Sequence, residues 1–251
     1  MEDLVSEHTN DVYASIDRGF VGESASTRRK FVAGAAGALG GLGLLSLPAS
    51  AMAANDAQTI LNVAATAEVL ATIVNTVGAE KVRFRHQVTE RNVLDAAYQE
   101  LDHYNVLTKA LGAKPATKRI WIPHALFASE HNLLSGLVFG DGVFVNAYQI
   151  GVTAFGNAGK GTYARYAAEI MGIESVHRAL ALQSLGKPGN DQAFASGSGP
   201  YFTDIMTAVA QLQSAGFGFG ATGKSPGRFY EFDHIKKQTI HRSEVHQLSP
   251  H

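Results

Sequence analysis

The sequence predicts an all-α chain built on a four-helix bundle, with a long crossover between the second and third helices. Three observations lead there. Two Glu-x-x-His pairs, Glu100-Leu-Asp-His103 and Glu174-Ser-Val-His177, each lie inside a run of helical periodicity. Positions three apart share a helix face, so each pair sets a carboxylate beside an imidazole. A third run, 56–78, is apolar on nearly every side and carries one charged residue between Asp56 and Glu80, which is Glu68. Finally, the stretch 114–129 is longer than a turn between antiparallel neighbours needs, and a crossover of that length lets helices two and three run parallel.

Composition narrows the chemistry. The 251 residues are 45% hydrophobic and 17% charged, enough to bury a sizeable core. A net charge of -1 argues against a general nucleic-acid binder. The chain has no cysteine, which excludes disulfides, thiolate metal sites and Cys catalysis. Any metal must be held by His or oxygen ligands, a set that favours iron, manganese or zinc.

Residues 1–53 read as a leader rather than part of the fold. The basic stretch Thr27-Arg28-Arg29-Lys30 precedes the Ala-, Gly- and Leu-rich run 32–47, then Pro48 and the small-x-small patterns Ala49-Ser50-Ala51 and Ala51-Met52-Ala53. Paired arginines ahead of such a run resemble a twin-arginine (Tat) leader, which implies the Tat export machinery as a partner and a periplasmic or extracellular location. The run falls short of the roughly 20 apolar residues a span requires, so no stable membrane span is expected after cleavage.

The bundle is expected over 54–185. Helix one covers 56–78, with Asp56 as N-cap and Gly78 as stop. Helix two covers about 89–111 and ends at Gly112. In the crossover, Ile120-Trp121-Ile122 can form a short extended segment, while His124, Glu130 and His131 serve surface hydrogen bonding or cap a short helix at about 129–139. Gly140-Asp141-Gly142 separates that short helix from helix three, about 143–155, which contains no carboxylate. Its polar members are Asn146, Gln149 and Thr153, with Tyr148 among them, and they either line the interior or face solvent. Helix four covers about 162–185, with Glu169 peripheral and Arg178 in a salt bridge near the surface. Residues 186–251 form a Gly-rich extension with one short helix, 204–215, and a polar, solvated tail carrying His234, His241, His246 and His251. The Gly-rich stretch 217–223 lacks the spacing and the strand–helix setting of a phosphate loop.

A carboxylate in the middle of an apolar helix is costly to bury unless a cation or hydrogen bonds compensate it. Glu68 either faces water on an imperfectly buried helix or is a metal ligand, and the other helices favour the second. The candidate metal ligands are Glu68, Glu100, His103, Glu174 and His177, with Glu100 and Glu174 bridging and Glu68 terminal. A paired-metal bundle draws one further carboxylate from helix three. With none found there, either Asn146, Tyr148 or Gln149 takes that place or the second metal is weakly held or absent.

Several segments together resemble a known family. Ile60-Leu-Asn-Val-Ala64 with Ala67-Glu68, Tyr98-Gln-Glu-Leu-Asp-His103, Ile120-Trp-Ile-Pro123, Gly151-Val-Thr-Ala-Phe155 and Ile173-Glu-Ser-Val-His177-Arg178 are similar to the ferritin-like family of exported bacterial proteins, related to desiccation-related proteins. The resemblance covers roughly 57–185. It implies a ferritin-like bundle with a di-metal site for iron or manganese, partly or fully occupied. One departure stands out: similar proteins carry Leu-Glu seven residues before an aromatic, where this chain has Ala147-Tyr148 before Phe155. Two functions follow as expectations. One is metal handling with oxygen or peroxide; the other is a non-enzymatic structural or stress-related bundle with a degenerate site. The long extension and the leader do not suit a closed storage shell, and self-association into a homo-oligomer is left open.

Overall fold

The computed structural model describes residues 55–190 and 202–245. The expected leader, the Ser196–Pro200 turn, His246 and His251 lie outside the described residues.

Helix α1 spans Ala57–Lys81. Asp56 caps it as expected, its carboxylate accepting from the N–H groups of Gln58 at 2.9 Å and Thr59 at 3.3 Å. Gly78 does not end it. A Cβ at Gly78 would lie 2.8 and 2.9 Å from the two methyls of Leu133, so this glycine marks a close helix crossing rather than a stop. Helix α2 spans Gln87–Asn105 and widens into a π turn, Val106–Ala110. Gly112 then turns the chain at φ +74°, and the N–H of Ala113 donates to the carbonyl of Leu107 at 2.9 Å.

The crossover contains strand β1, Arg119–Pro123, as the Ile-Trp-Ile pattern predicts, followed by a 3-10 turn, His124–Phe127. Ile120 and Ile122 point into the core while Arg119 faces out, the two-residue alternation of a half-buried strand. Its partners come from the extension. Strand β2, Gly218–Phe219, and strand β3, Gly227–Glu231, flank β1 antiparallel in the order β2-β1-β3. The Gly-rich stretch therefore supplies a strand rather than a loop.

Helix α3 is one 28-residue helix, Glu130–Asn157, where the sequence reading placed two. Ser129 caps it, accepting from the N–H of Asn132 at 3.1 Å. The helix runs straight through Gly140-Asp141-Gly142. Each interior glycine costs about 1 kcal/mol against alanine. Leu133, Leu134 and Leu137 before the glycines, and Val143, Phe144 and Tyr148 after them, are all buried. Burying each such side chain returns about 1.5–3 kcal/mol, so packing outweighs local propensity. Asp141 consequently lies on α3, correcting the expectation that this helix offers no carboxylate. Helix α4 spans Gly161–Ser184. Glu169 lies outside the bundle core and pairs with Arg165 at 3.4 Å, whereas Arg178, expected near the surface, is buried.

Short loops fold α2 back on α1 and α4 back on α3. The extension adds helix α5, Ile205–Ser214, capped by Asp204, and helix α6, Phe232–Val245, where a solvated tail was expected. Phe232 is fully buried with its ring centroid 4.6 Å from that of Tyr104. The hydroxyls of Thr76 and Thr239 meet at 2.7 Å. Asn146 faces the extension, its amide donating to the carbonyl of Phe202 at 2.8 Å while its oxygen accepts from the Phe202 N–H at 3.3 Å. By length and composition alone α1 and α3 could each cross a membrane; within the fold, 83% and 50% of their most apolar windows are buried in protein.

Gly78→Val forces two methyls into the fully buried side chain of Leu133. The expected loss is about 1–3 kcal/mol, read as a lower urea midpoint with unchanged slope.

Candidate metal centre

The four bundle helices each deliver one acidic side chain to a common interior. Glu68 comes from α1, Glu100 and His103 from α2, Asp141 from α3, and Glu174 and His177 from α4. Glu68, Glu100 and Glu174 are fully buried. One ligand atom each from Glu68, Glu100, His103 and Glu174 lie within 4.8 Å of one another. Nδ1 of His103 is 3.3 Å from Glu100 Oε2, 3.2 Å from Glu174 Oε1 and 3.7 Å from Glu68 Oε2. Nδ1 of His177 is 3.2 Å from Glu100 Oε1 and 3.7 Å from Glu174 Oε2.

These contacts have a pattern. Glu100 and Glu174 each turn one oxygen toward His103 and the other toward His177. A carboxylate held that way can bridge two cations, one beside each imidazole. The ring centroids of His103 and His177 are 6.4 Å apart. Glu68 completes the group around His103. Asp141, which the sequence reading missed, shares a small cavity of about 20 Å³ with His177. A sequence signal for Asp141 existed. Glu68 precedes Glu100 by 32 residues and Asp141 precedes Glu174 by 33, so the two helix pairs repeat one spacing.

Tyr148 points inward and its hydroxyl donates to Glu68 Oε1 in a short hydrogen bond. This leaves Glu68 Oε2 as the oxygen facing the cluster. Nε2 of His177 lies 2.7 Å from the side-chain oxygen of Gln99. With Nε2–H donating there, Nδ1 is the ring position left to exchange a proton for a metal. The sequence reading also missed Gln99, whose only signal is its place beside Glu100. Of the other expected residues, Asn146 is engaged by Phe202 and Gln149 is half-buried. Glu130 is buried in an ion pair with Arg85 at 2.7 Å, and His124 and His131 are exposed.

The electrostatics are those of a site short of positive charge. Burial, together with the charges of Glu100 and Glu174, pushes the Glu68 carboxyl well above the usual range. Burial and the charges of Glu174 and Glu100 likewise raise Asp141, against the opposing charges of His177 and Arg178. Burial raises Tyr148, and the Glu68 charge adds to it. Glu100 goes the other way: burial alone would raise it, but His177 and His103 outweigh that and hold it low. For His103 and His177 burial favours the neutral ring, yet the facing carboxylates lift both well above the ordinary imidazole value. Glu68 Oε2, Glu100 Oε1, both Glu174 oxygens, Asp141 Oδ2 and His177 Nδ1 are buried without an aligned hydrogen bond. Natural interiors rarely leave such atoms unsatisfied. Metal–oxygen and metal–nitrogen bonds of roughly 2 Å would satisfy them, so the donor set fits divalent cations.

Fold and centre together define a four-helix carboxylate–histidine protein. A family model described as a ferritin-like domain matches residues 55–187, just over half of the sequence. The chain belongs to the ferritin-like family. Comparison with curated proteins and with solved structures finds no match.

With both imidazoles raised, the metal-free centre holds their protons near neutral pH, and a metal needs the Nδ1 lone pairs. Anaerobic addition of ferrous or manganous ion to weakly buffered protein is therefore expected to release protons. Apparent affinity should rise with pH until both rings are neutral. Titration calorimetry in two buffers of different ionisation enthalpy measures the number released. Gln99→Leu frees the His177 ring and should weaken the metal bound beside it by about 10–100-fold while leaving the thermal midpoint near wild type.

Proposed function

We propose that this protein binds a pair of iron or manganese ions in the bundle interior and uses them in handling dioxygen or peroxide. The single observation that carries the reading is the split of Glu100 and Glu174, each with one oxygen toward His103 and one toward His177. One position is built from Glu68, His103 and the two shared carboxylates; the other from His177, Asp141 and the same two. A metal pair held by these residues would, when reduced, supply two electrons to dioxygen or peroxide. The chain's own residues fix the positions. Tyr148 holds Glu68 so that one oxygen faces the cluster, Gln99 orients His177, and the apolar core excludes bulk water.

The competing reading, a stress-related bundle with a degenerate centre, drew support from a missing carboxylate on the third helix and from the lack of any other catalytic motif in the sequence. Asp141 supplies one. Export through the Tat route to the periplasm or exterior rests on Arg28-Arg29 and the run that follows them, and a route that carries folded proteins suits a centre filled before export.

Elemental analysis and anaerobic ferrous titration of the full chain test the proposal. About two ions per chain are expected for wild type, about one for Asp141→Ala, and close to none for Glu100→Ala. Wild type retaining no more iron, manganese or zinc than Glu100→Ala would sink it.

A further inference from the structure

Behind Tyr148, which bonds Glu68, residues of α1, α3 and α5 line a second cavity of about 30 Å³. Its character is opposite to that of the centre. The exposed lining is wholly apolar, with Ala64 and Ala67 on α1, Phe144 and Ala147 on α3, and Ala208 and Val209 on α5. The ring of Tyr148 forms the wall nearest the carboxylates. Its hydroxyl is already committed to Glu68. The ferritin-like match ends at residue 187 and α5 begins at Ile205, so the cover of this cavity belongs to the extension.

The volume and the lining together restrict the occupant. About 10–15 Å³ is room enough for one water, so space alone would admit water or a diatomic molecule. Water needs two to four polar partners, and these walls offer none. Peroxide and hydrated ions fail for the same reason. Rings are too large, since a cavity that takes benzene measures on the order of 150 Å³. Four alanines contributed by three helices hold the space open where longer side chains would close it. The small cavity at Asp141 and His177 differs from it in having polar groups among a mainly apolar lining: Asn75, Thr89, Asn92 and Ser184 stand beside Leu134, Leu137 and Leu180, and the side-chain oxygen of Asn75 is buried without an aligned partner.

We propose that the apolar cavity under α5 is a binding site for dioxygen, one tyrosine ring from the carboxylate cluster. The choice of dioxygen among nonpolar gases rests on the metal reading above; the presence of a gas site does not. The two are separated by the experiment. Crystals of the metal-free full chain are pressurised with xenon, and a xenon atom is expected between Ala64, Ala147 and Ala208. Ala208→Leu, which fills the space from the α5 side, should abolish it. The ferrous-loaded chain is then oxidised at varied dioxygen. In that reaction two ferrous ions lose one electron each, and dioxygen takes both with two protons and leaves as hydrogen peroxide. Ala208→Leu is expected to raise the KM for dioxygen about tenfold. Maximal rate, anaerobic ferrous binding and oxidation by added peroxide should stay at wild-type values. Should Ala208→Leu fail to fold, Ala64→Val provides a smaller plug with the same expected direction. Absence of xenon from wild type overturns the site whatever the metal does. Xenon bound with an unchanged KM for dioxygen in a plugged variant overturns its assignment to dioxygen. Failure of ferrous ion to bind overturns the metal reading, and the dioxygen assignment with it, while the xenon result still decides whether the cavity binds gas.

Discussion

Three carboxylates with no exposure to water face two imidazoles at the middle of the bundle, and the rest of the fold is arranged around that burial. Mutual contact compensates the charges only in part. Protons on the two rings and on Glu68 can neutralise the cluster, but they leave oxygens of Glu68, Glu100 and Glu174 without aligned donors. Buried groups in that condition cost free energy unless something binds them. A cation bound there would stabilise the folded chain, because the unfolded chain does not hold these groups together. The centre is thus a point where the polar groups of the fold are under-satisfied by the protein itself.

Glu68 to Glu100 and Asp141 to Glu174 span 32 and 33 residues, and each span contains one helix-to-helix reversal. The two helix pairs thus place their acidic residues at nearly the same separation, and they meet at Glu100 and Glu174. The crossover joining them cannot be short, since it returns the chain along the bundle. It is stabilised from outside the bundle. Strand β1 takes its antiparallel partners, β2 and β3, from the extension, so the backbone groups of the crossover are paired by residues a hundred positions away. The bundle and its extension are therefore one packed unit, with Asn146 fastened to Phe202 and Phe232 seated on Tyr104.

Much of the bundle was legible in the sequence because its signals are local. The Asp56 cap, the Gly112 turn, the alternation at Ile120 and Ile122 and both Glu-x-x-His pairs can be read within a few residues. The errors came where tertiary packing overrules local preference. Gly78 looked like a terminator and is a contact point for Leu133. Gly140-Asp141-Gly142 looked like a break between two helices, and the helix passes through it because both flanks are buried. That one misreading hid the fourth carboxylate. Helix α6 was missed for another reason: its charged residues outnumber its apolar ones, and its place depends on Phe232, Ile235 and Thr239 meeting the outside of α1 and α2.

The two halves of the centre are copies in spacing but not in chemistry. Around His103, Glu68 reaches in from α1 on a full glutamate side chain, and its outer oxygen is taken by Tyr148. Around His177, the corresponding arm is an aspartate, shorter by one methylene, and the positive charge of Arg178 acts on it. A guanidinium that close would disfavour a second cation at that position. The surroundings follow the same division. The His177 side borders a small cavity where Asn75, Asn92 and Ser184 sit among apolar side chains, and the Glu68 side ends on the ring of Tyr148 and a wholly apolar wall. The asymmetry of the ligands therefore makes the two halves of the centre unequal: a cation beside His103 would meet the glutamate of α1, and one beside His177 the shorter aspartate of α3 with Arg178 close by.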